Sequence, residues 1–282
     1  MFAPLFVLSV ISLPDAAAST ANKLPPGDRK MIAPGVYMPR ISCGHPDDGE
    51  KNATAATLDW LLAGGYGVDT AMSYHNQDQV GAAIRASGLP RADVFVTTKV
   101  PCEGGAGTVA SNIREDLKEL KLEYVDLLLI HFPCKRRVDT QAAWRALQAA
   151  HAAGVVKAIG VSNFVTADLD AVLALNGTAP VINQCQASVG SHDDVTINKT
   201  IALGATYEAY SPLRHVDLSD PTLKGIASAH NVSTAQVALK WLYQQGVLIA
   251  TSPGEDREYI QEDLALPTFQ LTAAEMETLR EM

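Results

Sequence analysis

Short runs of nearly unbroken apolar residues recur along this chain. Longer stretches separate them, with apolar positions three or four apart. The short runs are Arg40–Gly44, Tyr66–Asp69, Val94–Val100, Tyr124–Ile130, Val155–Val161, Val181–Gln186, Ala205–Ala209 and Val247–Ala250. Runs of this length without alternation fit strands buried on both faces, as in a parallel sheet. Between them, Leu58, Leu61 and Leu62 fall on one helix face. Val80 and Ile84 do the same, as do Val109, Ile113, Leu117 and Leu120, and then Trp144 and Leu147. Eight strand–helix units in this length predict an α/β fold, a (β/α)8 TIM barrel. A doubly wound open sheet is the alternative. Lys30–Met38, with Pro34-Gly35 at its centre, reads as a β-hairpin that closes the barrel's N-terminal end. No linker or low-complexity run interrupts residues 30–282, so 19–282 is read as one barrel domain.

Composition narrows the function classes. Of 282 residues, 47% are hydrophobic, and net charge is −9 with no basic run. That disfavours nucleic acid and anionic membrane surfaces as partners. Phe2–Leu13 is almost wholly apolar, and small residues follow it. The run is too short to span a bilayer and fits a secretory signal over residues 1–18, cut after Ala18, with no stable membrane insertion once removed. Its start lacks Lys and Arg. An organelle presequence, an uncleaved anchor and a misplaced start stay open, the last implying a cytoplasmic protein. Asn52, Asn176, Asn198 and Asn231 each open an N-x-[ST] sequon. They predict a glycoprotein of the ER lumen or the extracellular space; a Thr-rich surface is the plainer reading. Cys43, Cys102, Cys134 and Cys185 have no metal-ligand spacing. Cys102 and Cys134 lie three residues past Lys99 and His131, so neighbouring strands would let them bridge in an oxidising compartment. All four as ordinary small apolar residues is the alternative.

Strand C-termini converge on one face of such a barrel, and that face carries chemistry. Asp69, Lys99 and His131 close strand-like runs, and Tyr74 follows the first of them. A free phenol, with a pKa of about 10, is a poor acid at neutral pH, and a neighbouring ammonium favours its phenolate. A carboxylate would keep that ammonium charged and in place. Phenol and imidazole together can meet charge developing on a carbonyl oxygen. Gly105-Ala106-Gly107-Thr108-Val109-Ala110 imitates a dinucleotide fingerprint. It starts five residues past its strand, too far to aim a helix dipole at a pyrophosphate, and the acidic residue downstream, Asp126, opens its strand rather than ending it. We reject it.

Several longer segments are more specific. They are Asp69-Thr-Ala-Met-Ser-Tyr74-His-Asn76 with Val80-Gly-Ala-Ala-Ile84, Leu128-Leu-Ile-His131-Phe-Pro133, Ile159-Gly-Val-Ser162-Asn163-Phe164, Asn183-Gln184 and Ala209-Tyr210-Ser211-Pro212-Leu213. In order and spacing, from about residue 30 onward, the chain resembles the aldo-keto reductase family. The resemblance implies a barrel that binds NADP(H) in extended form and reduces aldehyde or ketone carbonyls of small molecules. It makes Tyr74 the general acid, Lys99 and Asp69 its tuning pair, and His131 the donor that orients the carbonyl. Ser162, Asn163 and Gln184 would hold the nicotinamide carboxamide, and Tyr210 would stack on the ring. Ser211 and Leu213, with help from Asp217, would meet the pyrophosphate.

The chain also departs from that pattern. The family's Lys after the last strand is Thr251 here, while Ser252 and Arg257 remain to receive a 2′-phosphate. NADP(H) is expected, with NAD(H) as the alternative. Only Cys134–Val138 separates Pro133 from the next helix, the chain stops soon after its last helix, and Gly44-His45-Pro46 replaces a common aromatic residue. A shallow, open pocket with weak selectivity follows. A monomer is expected. Two readings of another class compete: a catalytically idle, cofactor-sensing subunit, and a barrel kept for carbohydrate binding.

Overall fold

The computed structural model describes residues 28–44 and 52–282. The signal-like segment and the His45-Pro46 departure lie outside them. The chain opens on an antiparallel hairpin of β1 (Arg29–Ala33) and β2 (Val36–Pro39), turning at Gly35 with φ 76°. The barrel strands follow as β3 (Ile41–Gly44), β4 (Gly67–Asp69), β5 (Phe95–Val100), β6 (Val125–Ile130), β7 (Val156–Ser162), β8 (Ile182–Gln186), β9 (Thr206–Tyr210) and β10 (Leu248–Thr251). All pair in parallel, and β10 closes on β3. The closed eight-stranded barrel excludes the open-sheet alternative and places Gly105–Ala110 at the start of an outer helix.

The helices are α1 (Ala53–Leu62), α2 (Gln77–Ala86), α3 (Gly105–Leu120), α4 (Arg137–Ala152), α5 (Thr166–Leu173), α6 (Asp194–Ala202), α7 (Pro221–His230), α8 (Thr234–Gln244), α9 (Arg257–Leu264) and α10 (Ala273–Arg280). The β9–β10 connection and the chain end each hold two helices rather than the single one expected. The leucine face expected of α1 is corrected. Ala53, Ala56, Thr57, Trp60 and Leu61 are buried, whereas Leu62 is 65% exposed. Trp60 sets the face, because its indole N–H reaches the Gly67 carbonyl at 2.8 Å. A Cβ on Gly65 would lie 2.1 Å from that ring, so only glycine lets the turn pass over it. Trp144 and Trp241 are likewise buried, their N–H groups bonded to Thr178 and Met276 carbonyls.

Inside the barrel the registers set a second order. Each step of two strands shifts the level by two residues, so horizontal layers draw on alternate strands. The top layer is Gly44, Lys99, Ser162 and Tyr210. Beneath it come Asp69, Leu129, Gln184 and Ala250, and then Ser42, Thr97, Gly160 and Glu208. Lower still the interior turns apolar: Phe95, Leu127, Ala158, Ile182 and Leu248 pack with Ile32 and Met38 of the hairpin. The hairpin thus plugs the N-terminal end, and the polar layers stack toward the opposite mouth. Among the described residues no helix is long and apolar enough to cross a membrane.

Candidate active site

The four residues expected to meet do meet. Lys99 is 1% exposed, and its ammonium donates to the Asp69 carboxylate, to the Thr70 carbonyl at 3.0 Å and to the Tyr74 hydroxyl at 3.4 Å. A short 3-10 turn over Met72–Tyr74 follows β4 and brings the phenol back over the mouth; it ends at His75 with φ 54°. His131 continues β6 by one residue, its N–H bonded to the Val100 carbonyl at 2.9 Å. Its ring lies edge-on to Tyr74, 5.6 Å between centroids, and its Nδ1 is 3.1 Å from the Ser73 hydroxyl.

The electrostatics of the group are lopsided. Burial works to deprotonate Lys99, but Asp69, with lesser help from Tyr74 and Glu208, outweighs it and raises the pKa of the ammonium. Burial, and next the Lys99 charge, push His131 down to about 3, so its imidazole is neutral at physiological pH. A fixed cation and a neutral imidazole therefore flank one phenol.

Beside them a polar shelf runs along the ends of β7, β8 and β9. The Ser162 hydroxyl donates to the Gln184 carbonyl at 2.8 Å. The Asn163 amide donates to the His131 carbonyl at 2.9 Å and accepts from the Tyr210 hydroxyl at 2.8 Å. Asn163 and Ser211 both sit at positive φ, 62° and 49°, in a region costly for residues with a Cβ. Tyr210, Ser211, Leu213 and Ser252 line a cavity of about 360 Å³ together with Asp69 and Tyr74. Two expected residues are placed differently. Gln184 is buried, and its amide nitrogen is committed to the Asp69 and Glu208 carboxyl groups. Arg257 is 86% exposed at the start of α9, facing Asp59 at 3.6 Å, and lines a separate hollow between α1 and α9. Asp217 caps Ser219 at the surface. Thr251 is buried and donates to Asp263, whose pKa burial pushes up to about 7.

This donor set fits a nicotinamide dinucleotide. The aromatic face of Tyr210 and a shelf of neutral amides and hydroxyls suit an amide-bearing ring. The hydroxyls of Ser211 and Ser252, with the Arg214 guanidinium on the same cavity wall, suit phosphates. A model described as the aldo/keto reductase family matches residues 47–282. The chain belongs to that family. Morphine 6-dehydrogenase of Pseudomonas putida is 35% identical over 264 residues, 88% of each chain. Glyoxal reductase of Bacillus subtilis is 34% identical over 257 residues, 89% of this chain and 91% of that one. Among solved structures, an aldo/keto reductase of Brucella melitensis superposes with a TM-score of 0.86 at 33% identity, covering 90% of this chain and 97% of that one. A Bombyx mori aldo-keto reductase solved with NADP gives 0.83 at 26% identity, covering 90% and 92%. As an aldo-keto reductase the protein is an oxidoreductase.

Three groups at or beneath this reductase's mouth escaped the sequence reading. Arg214 is an exposed guanidinium on the cavity wall, and no carboxylate among the described residues pairs with it. Its signal was its position, directly after the Ser211-Pro212-Leu213 segment. Ser73 adjoins His131 only because the 3-10 turn folds back. Glu208 was visible as the one charged residue of the β9 run Thr206–Tyr210. Cys102 and Cys134 are joined in a disulfide, Cα atoms 5.5 Å apart, tying the loops beyond β5 and β6 beside this mouth.

Proposed function

We propose that the protein is an NADP(H)-dependent reductase of aldehyde and ketone carbonyls. The observation that carries this is the buried Lys99 ammonium, held between the Asp69 carboxylate and the phenol oxygen of Tyr74 on the cavity wall. Ser162, Asn163, Tyr210, Ser211, Leu213, Arg214 and Ser252 would hold the cofactor, which supplies a hydride to the carbonyl carbon when bound. Gln184 keeps only its carbonyl oxygen free for the carboxamide, both amide hydrogens being used. Tyr74 gives its proton to the carbonyl oxygen as charge develops there. Lys99 stabilises the negative charge left on the phenol, and Asp69 holds Lys99 in place. A Ser73 hydroxyl donating to Nδ1 of His131 leaves Nε2 carrying the proton, so the neutral ring can donate to the same carbonyl oxygen. The short β6–α4 connection, residues 131–136, leaves that side of the mouth low and suits bulky carbonyls. Titration with NADPH and NADH, followed by turnover of an aromatic aldehyde panel, tests the reading. Tyr74→Phe should abolish turnover and leave cofactor affinity within about twofold, since the phenol acts on the substrate proton; wild-type turnover by that variant would dismiss the assignment.

We further propose that the enzyme resides in an oxidising compartment of the secretory pathway, as a glycoprotein. Two features support it: the Cys102–Cys134 disulfide, and the exposure of all four sequon asparagines, Asn52, Asn176, Asn198 and Asn231. Treatment of the natively expressed protein with an endoglycosidase should lower its apparent mass; an unchanged mass would count against it.

A further inference from the structure

We propose that Glu208 is a positioning residue of the reaction: through the Gln184 amide it fixes the Asp69 carboxylate that holds Lys99 against Tyr74. This role rests on the carbonyl-reductase reading.

The geometry is a three-tier clamp. Lys99 lies in the top layer, Asp69 and Gln184 in the second, and Glu208 in the third. The Gln184 nitrogen donates to Asp69 Oδ2 at 2.8 Å and to Glu208 Oε2 at 2.9 Å. Both amide hydrogens are thereby used, one in each tier. A flipped amide would turn its carbonyl oxygen on the Asp69 carboxylate, which has no proton to donate, so Gln184 has one tenable orientation. Asp69 is then held from two sides, by Lys99 on Oδ1 and by Gln184 on Oδ2.

Glu208 is fully buried. Its layer mates are Ser42, Thr97 and Gly160, so no cation shares its tier. Its Oε1 has no protein partner among the described residues, and neither do the hydroxyls of Ser42 and Thr97 in the same layer. An anion with one hydrogen bond in such a place is costly, whereas a neutral acid is tolerated. The charged groups that face Glu208 are Asp69 on β4 and Lys99 on β5; Gln184 on β8 is neutral. The remaining strands of the layer bring Ser42 and Gly160, and the adjacent β10 brings Leu248. Burial, and next the Asp69 charge, push Glu208 up to about 8 against the pull of Gln184 and Lys99. At neutral pH the clamp thus holds one cation and one anion. Above that range a second negative charge appears beneath Lys99 and opposes the charge developing on the Tyr74 oxygen. Reduction should slow there.

The full chain, assayed with NADPH and an aromatic aldehyde, separates this role from ordinary barrel filling. Glu208→Gln still accepts from Gln184 but cannot ionise. It should keep kcat at pH 7 within about threefold and move the alkaline fall in kcat upward from near pH 8 by a unit or more. Glu208→Leu removes the acceptor and should cost about tenfold or more in kcat, the scale on which small misplacements are felt, with NADPH affinity retained. A Glu208→Gln profile superimposable on wild type would overturn the proposal even if the leucine variant does not fold. So would wild-type kcat in Glu208→Leu. A wild-type chain inactive on every carbonyl would instead overturn the reductase reading, and this role with it.

Discussion

Replacing Lys99 by methionine keeps the length of the side chain and removes its charge. The ammonium lies 3.4 Å from the Tyr74 oxygen. At an effective dielectric of about 20, unit charges at that distance interact by about 5 kcal/mol. In the proposed proton transfer only part of a charge develops on the phenol in the transition state, so about half of that is lost, on the order of 100-fold in kcat. The same change strands Asp69, only 3% exposed, without its cation. Breaking a buried pair from one side costs about 3–5 kcal/mol of stability. The two losses separate in Asp69→Asn/Lys99→Met, which carries no stranded charge. That variant should recover most of the stability and none of the turnover. Urea unfolding read by circular dichroism, beside kcat at saturating NADPH and aldehyde, measures both. A folded Lys99→Met turning over within tenfold of wild type would refute the electrostatic role assigned to Lys99.

Three further outcomes are expected. Cys102→Ser/Cys134→Ser opens a loop of sequence separation 32. It should lose about 3–4 kcal/mol on the chain-entropy relation, and thiol titration of the unfolded wild type should find only Cys43 and Cys185. Asp263 is raised from 3.8 to about 7 by burial. Its favourable contribution is therefore full below the unfolded pKa and is lost as pH rises through about 7. Asp263→Asn should gain stability over wild type between pH 4 and 8, on the order of 4 kcal/mol at the top of that range, and parallel melting curves would rule this out. Thr251→Lys places a cation on the cavity wall and should tighten NADPH more than NADH; an unchanged ratio of dissociation constants would remove position 251 from phosphate recognition.

The alternation of apolar runs and helical spacing was enough to read the barrel, because strands buried on both faces leave no polar alternation to confuse. The strand-end cluster at the mouth was legible for a related reason. Asp69, Lys99 and His131 end apolar runs, and in a parallel barrel all such ends face one way. The face of α1 was not legible, since one tryptophan reaching the Gly67 carbonyl outweighed two leucines. Nor was the second helix in the β9–β10 connection.

The clamp beneath the mouth belongs to the tertiary structure alone. Gln184 and Asp69 stand 115 positions apart, and no local pattern couples them. They share a layer because the closed barrel staggers its strands by a fixed amount, so residues level across the interior are not level along any single pair of strands. Arg257 makes the complementary point. Its spacing after the last strand suggested a phosphate contact, yet the helix it opens turns the guanidinium toward Asp59 on α1. Period and strand-end position are properties of one segment, and the sequence carries them. Which side chains touch across a closed sheet depends on stagger and closure, which exist only once all eight strands are in place.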